Sequence, residues 1–206
     1  MEKHIDLFIY GAGGLASEIK WIIERNPLYR FAGYIVTDQS MISSEKIVGD
    51  ETWLLSQYNP HVIIGIGNPK VRMIIQDRIA AYCIFPSLID TTAIVSPTAI
   101  ISDGVVIAPN CVVSTNVIIH KNTYVNFGCT IGHDTVIGNC CLVNPGCNIS
   151  GDVTIKDNVM IGTGSKIIEK LIIEHDSYIT AGSIITRNVP AKTTMAAPAA
   201  RKVSTC

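Results

Sequence analysis

Between residues 89 and 185 an isoleucine or valine returns at every sixth position without a slip, from Ile89 and Val95 through Ile131 and Ile149 to Ile185. Four places after each stands a small or compact residue, as in Ala93, Cys111, Thr123, Cys129, Cys147, Ser165 and Ser183. A third series on the same spacing (Gly104, Asn110, Asn116, Asn122, Gly128, Asp134, Gly146, Asp152, Asn158, Gly164, Asp176, Gly182, Asn188) consists of residues that tolerate a left-handed backbone. A period of six suits neither a helix nor a plain strand. It suits short strands joined by tight turns, each burying its apolar side chain only by stacking on its neighbours, the pattern of a parallel β-helix.

Three hexads close one triangular coil, so residues 18 apart in the chain stack, and the 97 residues from Ala93 to Val189 make a little over five coils. Cys111, Cys129 and Cys147 then share one inner face and read as reduced core residues rather than disulfides. Adjacent Cys140 and Cys141 point opposite ways and make no zinc pattern.

Ahead of the repeats, residues 5–10 read as a strand and run into Gly11-Ala12-Gly13-Gly14-Leu15-Ala16 and a helical pattern with Leu15, Ile19, Ile22 and Ile23 on its apolar face. Gly11 and Gly13, with Ala16 in the last place, fit the G-x-G-x-x-G/A turn, where bare backbone approaches a phosphate at a helix N-terminus. A second strand (31–36) ends near Asp38, an acid placed to bond a ribose hydroxyl. A third (61–66) ends in Gly65-Ile66-Gly67-Asn68-Pro69, with Asn68 as N-cap of a helix whose apolar face holds Val71, Ile74, Ile75 and Ile79. This alternation is half a doubly wound sheet, enough for a single nucleotide or nucleotide-sugar but not for a dinucleotide. Residues 1–85 thus form a Rossmann-like α/β domain and residues 86–206 an all-β helix with a tail, joined rigidly because no flexible linker intervenes.

A net charge of −1 with no long run of either sign argues against a nucleic-acid or anionic-membrane partner. With no long apolar stretch and no signal-peptide start, the expected location is the cytoplasm.

The hexad register sorts the histidines. His133, at a corner two places after inward Ile131, points outward with Asp134 beside it; Gly132 leaves room for a ligand, and Gly151 lies one coil on. An outward histidine with a neighbouring carboxylate is a general-base candidate. His175 holds the same hexad position on another edge, so the histidines do not converge on a metal within one chain.

Together, the unbroken hexads, the appended glycine-turn domain, Gly132-His133-Asp134, Asn144-Pro145-Gly146 and Ser150-Gly151-Asp152-Val153 resemble the NeuD/PglD-type sugar acyltransferases of bacterial surface-glycan pathways. The resemblance implies a left-handed β-helix, a homotrimer with active sites between subunits, and acetyl-CoA in the groove between neighbouring prisms, with no metal. It implies that His133 is the base, Asp134 its orienting acid, and Asn126 a polar residue lining the site. The Gly151 N–H would bond the thioester oxygen, and Thr163, Gly164, Ala181, Gly182 and Pro198 would lie along the coenzyme. The nucleotide-sugar would meet Gly11, Gly13, Gly14, Leu15, Asp38, Gly67 and Asn68. Two positions depart from the family: Leu15 and Leu142 stand where histidines are usual, which leaves the sugar unnamed.

The function so implied is transfer of an acetyl group from acetyl-CoA to an amine or hydroxyl of a nucleotide-activated sugar, with a UDP- or GDP-linked 4-amino-sugar favoured by the nucleotide-binding domain. A sialic-acid-type O-acetyltransferase stays open as an alternative, as does a non-catalytic nucleotide-binding scaffold. A zinc lyase on the same helix would need histidine ligands at a spacing this chain lacks.

Overall fold

The computed structural model describes residues 4–37 and 46–198. The first element, β1 (Ile5–Tyr10), is followed by α1 (Gly14–Arg25), β2 (Tyr29–Ile35), β3 (Ile47–Gly49), α2 (Glu51–Leu55), β4 (His61–Ile64) and α3 (Pro69–Ile79). The four strands form a parallel sheet in the order β3-β2-β1-β4. Ile84 bridges back to His61 on this sheet, whereas the next carbonyl, of Phe85, already accepts from Gly104 in the repeats.

From β5 (Leu88–Ile89) to β22 (Thr194–Met195) the chain winds through two-residue strands that stack into three parallel sheets of seven, six and five strands. The register is the one the spacing predicts: Thr130 and Ile131 pair with Val112 and Val113 below and with Asn148 and Ile149 above. The Ile/Val series from Ile107 to Ile185 is buried to 3 % exposure or less. Ile89, Val95 and Ile101 are only partly buried, because no earlier coil covers them.

The small inward slots do more than fill space. Cys111, Cys129 and Cys147 donate their thiols to the carbonyls of Asn126, Asn144 and Gly162 at 3.0, 3.1 and 3.2 Å, and Thr123 and Thr135 make the equivalent bonds to Gly138 and Ser150. A weak donor of small volume satisfies a corner carbonyl that the ladder leaves over.

The predicted corners carry positive φ from Gly104 to Gly182, and Cys140, Lys170 and Lys192 adopt the same conformation with less suitable side chains. Asn188 is not a corner: the hexads slip after Ile185, and its carboxamide oxygen instead accepts the Ile172 N–H. The tail then adds one more rung, Thr194–Met195 pairing with Tyr178–Ile179.

The N-terminal domain lies on the seven-stranded face and buries its outward residues Leu88, Val106, Tyr124 and Leu142. Its two long helices run along the two edges of that face. On one edge α1 meets the prism through Arg25 and Asp90 at 2.9 Å, Trp21 against Phe127 at 5.9 Å, and Glu18 to Asn126 at 3.4 Å. On the other, α3 meets one corner residue per coil: Gln76 with Asn122 and Cys140, Met73 with Asn158, Lys70 with Asp176. Three helical residues rise about 4.5 Å and one coil about 4.8 Å, so helix and prism stay in step.

Candidate active site

His133 sits on the turn between the six- and five-stranded faces. Its Nδ1 lies 2.7 Å from a carboxylate oxygen of Asp134, whose φ of 58° swings that side chain back toward the ring. Asn116, one coil below, donates to the other carboxylate oxygen at 3.0 Å. These bonds, that of Asn116 first and that of His133 second, hold the Asp134 carboxyl below its ordinary range. An imidazole in the tautomer that donates from Nδ1 to this carboxylate keeps a lone pair on Nε2. That edge of the ring lies over Gly151, where a Cβ would come within 2.5 Å of Nε2.

Gly132 does not leave room for a ligand, as its position suggested. A Cβ there would strike the Gly151 nitrogen at 2.5 Å, so this glycine lets two successive corners pack against each other.

Asn126 and His133 are brought to different edges. Asn126 is buried at the edge between the seven- and six-stranded faces, its amide directed to Glu18 and its oxygen accepting from the Phe127 N–H. Thr163, Gly164, Ala181 and Gly182 are exposed and lie on that same edge. Gly182 and Pro198 line a cavity of about 470 Å³ that crosses the last rung of the six-stranded face to Arg187, which lies two coils beyond Gly151 on the His133 edge. The six-stranded face separates the two groups within one chain. Its outward column is polar in the middle, with Lys166 bonded to Asn148 at 2.6 Å and Asn148 to Thr130 at 2.9 Å, and apolar toward its ends, where Ile94, Val112 and Ile184 are exposed.

A second cavity, of about 580 Å³, opens in the N-terminal domain between the glycine turn and α3. Gly11, Ala12 and Gly13 form one wall; Ile66, Val71, Ile74 and Ile75 form another; Tyr10, Thr37 and Arg78 supply polar groups. Gly11 has φ 112° and no space for a side chain, since a Cβ would lie 2.8 Å from Ile66, whereas Gly13, Gly14 and Gly67 have open space there. Asn68 is the N-cap foreseen, its oxygen accepting the Lys70 and Val71 N–H groups at 3.0 and 3.3 Å. Arg78 joins Tyr10 and Glu51, and burial together with that carboxylate pushes the Tyr10 phenol up to about 12. Asp38 lies outside the described residues.

Two expectations for this domain are corrected. Val71 and Ile74 are not core: they are 41 % and 56 % exposed and face the cavity, while Arg72 between them is 1 % exposed. Sequence reasoning passed over Arg72 because an arginine in a polar stretch of helix reads as solvated. Leu15 does not line the cavity; it packs into the cluster between the domains that also holds Leu142, Phe127 and Met160. The two leucines that stand in place of the family's histidines therefore share one apolar environment.

His175 and Asp176 repeat the pairing of His133 and Asp134 at 3.0 Å, on the edge that α3 covers. Among the described residues no group of three or more His, Cys, Asp or Glu is placed to hold a metal ion, and no helix is long and apolar enough to cross a membrane.

Fold and site together define a hexapeptide-repeat β-helix protein with an appended glycine-turn α/β domain. Residues 6–79 match the PglD N-terminal domain, and residues 134–169 match the bacterial transferase hexapeptide repeats. The resemblance to the NeuD/PglD-type sugar acyltransferases thus holds in both halves of the chain. No curated protein matches it. Among solved structures, a mutant perosamine N-acetyltransferase from Caulobacter crescentus, in complex with CoA and GDP-perosamine, is 20 % identical and superposes with a TM-score of 0.88 over 93 % of both chains. The acetyltransferase domain of PglB from Neisseria gonorrhoeae, in complex with acetyl coenzyme A, is 25 % identical with a TM-score of 0.85, covering 95 % of this chain and 97 % of that one. WeeI from Acinetobacter baumannii is 23 % identical with a TM-score of 0.83, over 94 % of this chain and 97 % of its own. The fold is a half-Rossmann domain followed by a left-handed parallel β-helix.

Proposed function

We propose that the protein transfers an acetyl group from acetyl-CoA to an amine of a nucleotide-activated sugar, a UDP- or GDP-linked 4-amino-sugar, in bacterial surface-glycan synthesis. The observation that carries this reading is the oriented pair His133 and Asp134 over Gly151, on a prism packed against the domain that holds the glycine-turn cavity. Support comes also from two of the neighbours named above, the perosamine N-acetyltransferase with CoA and GDP-perosamine and the PglB acetyltransferase domain with acetyl coenzyme A.

Acetyl-CoA supplies the activated acyl group. His133 takes a proton from the acceptor nitrogen on Nε2 as that nitrogen forms its bond to the acyl carbon; Asp134 steadies the resulting imidazolium, which passes the proton to the departing thiolate as the C–S bond breaks. The Gly151 N–H offers a donor to the oxygen on which charge develops, a contribution of about 3 kcal/mol. In the N-terminal domain the bare backbone of Gly13 and Gly14 faces the diphosphate, and the apolar wall of Ile66, Val71 and Ile74 receives the base.

The separation of His133 from Thr163, Gly164, Ala181 and Gly182 by one whole prism face fits a homotrimer in which each site takes its base from one subunit and its coenzyme edge from the next. The five-stranded face offers the interface, with Ile100 at 60 % and Ile172 at 40 % exposure in one outward column with Ile118 and Val136.

Free-CoA release from acetyl-CoA, measured across UDP- and GDP-linked 4-amino-sugars with 3-amino-sugars and free sialic acid alongside, tests the proposal. Turnover on a nucleotide-linked 4-amino-sugar is the expected result. Turnover on sialic acid alone would replace it with O-acetylation, and silence with acetyl-CoA still binding would overturn the acceptor class.

A further inference from the structure

Helix α3 buries Ile75 and Ile79 in the core but is inverted around Arg72. Its valine and isoleucine at 71 and 74 face the open cavity, while Arg72, Met73 and Gln76 on the opposite side are turned to the prism. Arg72 is 1 % exposed and bonds only carbonyls: Ile66 through Nε at 3.0 Å and Nη2 at 2.8 Å, and Asn122 and Cys141 through Nη1 at 3.1 and 3.0 Å. None of these partners is a carboxylate, and desolvation lowers the guanidinium to about 10. An arginine buried without a counter-ion is costly unless a fixed set of acceptors meets its planar fork. Here those acceptors belong to two bodies: Ile66 is a wall of the cavity, whereas Asn122 is a corner of the prism and Cys141 follows the corner of the next coil.

We infer that Arg72 is a positioning residue: through α3 it fixes the distance between the ligand held by Ile66, Val71 and Ile74 and the acyl-transfer machinery on the prism. This rests on the function proposed above. The fork joins the cavity wall to two successive coils at once, so the cavity cannot slide along the prism axis or tilt from it without breaking carbonyl bonds. Lysine at 72 retains the charge but, as a point donor, cannot span the Asn122, Cys141 and Ile66 carbonyls at once.

The test compares wild type with Arg72→Lys and Arg72→Met on two acceptors: the nucleotide-linked 4-amino-sugar that wild type uses, and the same 4-amino-sugar without its nucleotide. For Arg72→Lys the expected result is a fall of at least tenfold in kcat on the nucleotide-linked acceptor, with turnover of the free sugar and the Kd for acetyl-CoA and for UDP or GDP unchanged within threefold. A purely structural role would lower both turnovers in proportion to the folded fraction, and that outcome, or no change in either, overturns the inference. Should wild type use no acceptor of the panel, the functional reading fails separately. The inference is then judged by spin-label distances between Cys residues placed at Tyr58 and Lys166. Broadening of that distribution by Arg72→Met sustains it, and an unchanged distribution ends it.

Discussion

Gly151 stands where any side chain would press on the imidazole of His133, with 2.5 Å between Nε2 and the Cβ that alanine would carry. Because the His133 side chain is 64 % exposed, the ring yields before the backbone does. Gly151→Ala is therefore expected to swing the base out of line and lower CoA release about 10²-fold, with the melting temperature unchanged within about 2 °C. A thermal melt and a rate assay on the same preparation check this; a collapse of the fold would show that Gly151 serves packing first.

Asp134→Asn keeps a residue at ease with φ 58° and keeps a polar partner for Nδ1. The carboxamide can present an N–H to that nitrogen, which moves the imidazole proton to Nε2 and removes the lone pair the reaction needs. We expect turnover to fall about 10²-fold. Since Asn116 and His133 depress the Asp134 carboxyl, it is ionised throughout the neutral range, and its pairing is lost only as pH falls through the lowered value. Free-CoA release by the two forms checks the fall in turnover, and an unchanged rate would remove Asp134 from the machinery.

Beneath the candidate base, Ile131 is 1 % exposed and stacks between Val113 and Ile149. Ile131→Ala opens a cavity that the rigid coil cannot close, at a cost of about 2 to 5 kcal/mol. Urea denaturation gives the value directly, and a cost under about 1 kcal/mol would mean that the column repacks.

Lys170 holds a left-handed corner at φ 61° with a side chain that gains nothing from it. Lys170→Asn is expected to stabilise the fold by about 0.5 to 1 kcal/mol, since asparagine accepts this conformation more readily. The backbone bond from its N–H to Gly151 is kept. Thermal unfolding of the two forms decides it, and a lower melting temperature for the variant would refute it.

The β-helix was legible because its determinants are local and periodic. Inward Ile131, small Cys129 and corner Asp134 each repeat at a spacing that no other secondary structure uses, and stacking of residues 18 apart follows by counting. The outward direction of His133 follows from the same count, whereas its bond to Asp134 was implied only by the family resemblance. The glycine turn and the Asn68 cap were legible as well, being fixed by backbone conformation within a few residues.

What the sequence alone could not decide was which surfaces the two domains hide from water. Cys140 and Lys170 occupy equivalent corners, yet Cys140 is buried against Gln76 while Lys170 is exposed, because α3 runs along only one edge. The same contact buries Arg72 and leaves Val71 and Ile74 facing a cavity, the reverse of what hydropathy predicts; on the other edge α1 covers Asn126, apart from His133. Periodicity fixes where a side chain points relative to its own coil or helix. Whether water, a ligand or another domain waits there is set by contacts between residues far apart in the chain, and only the tertiary structure brings those together.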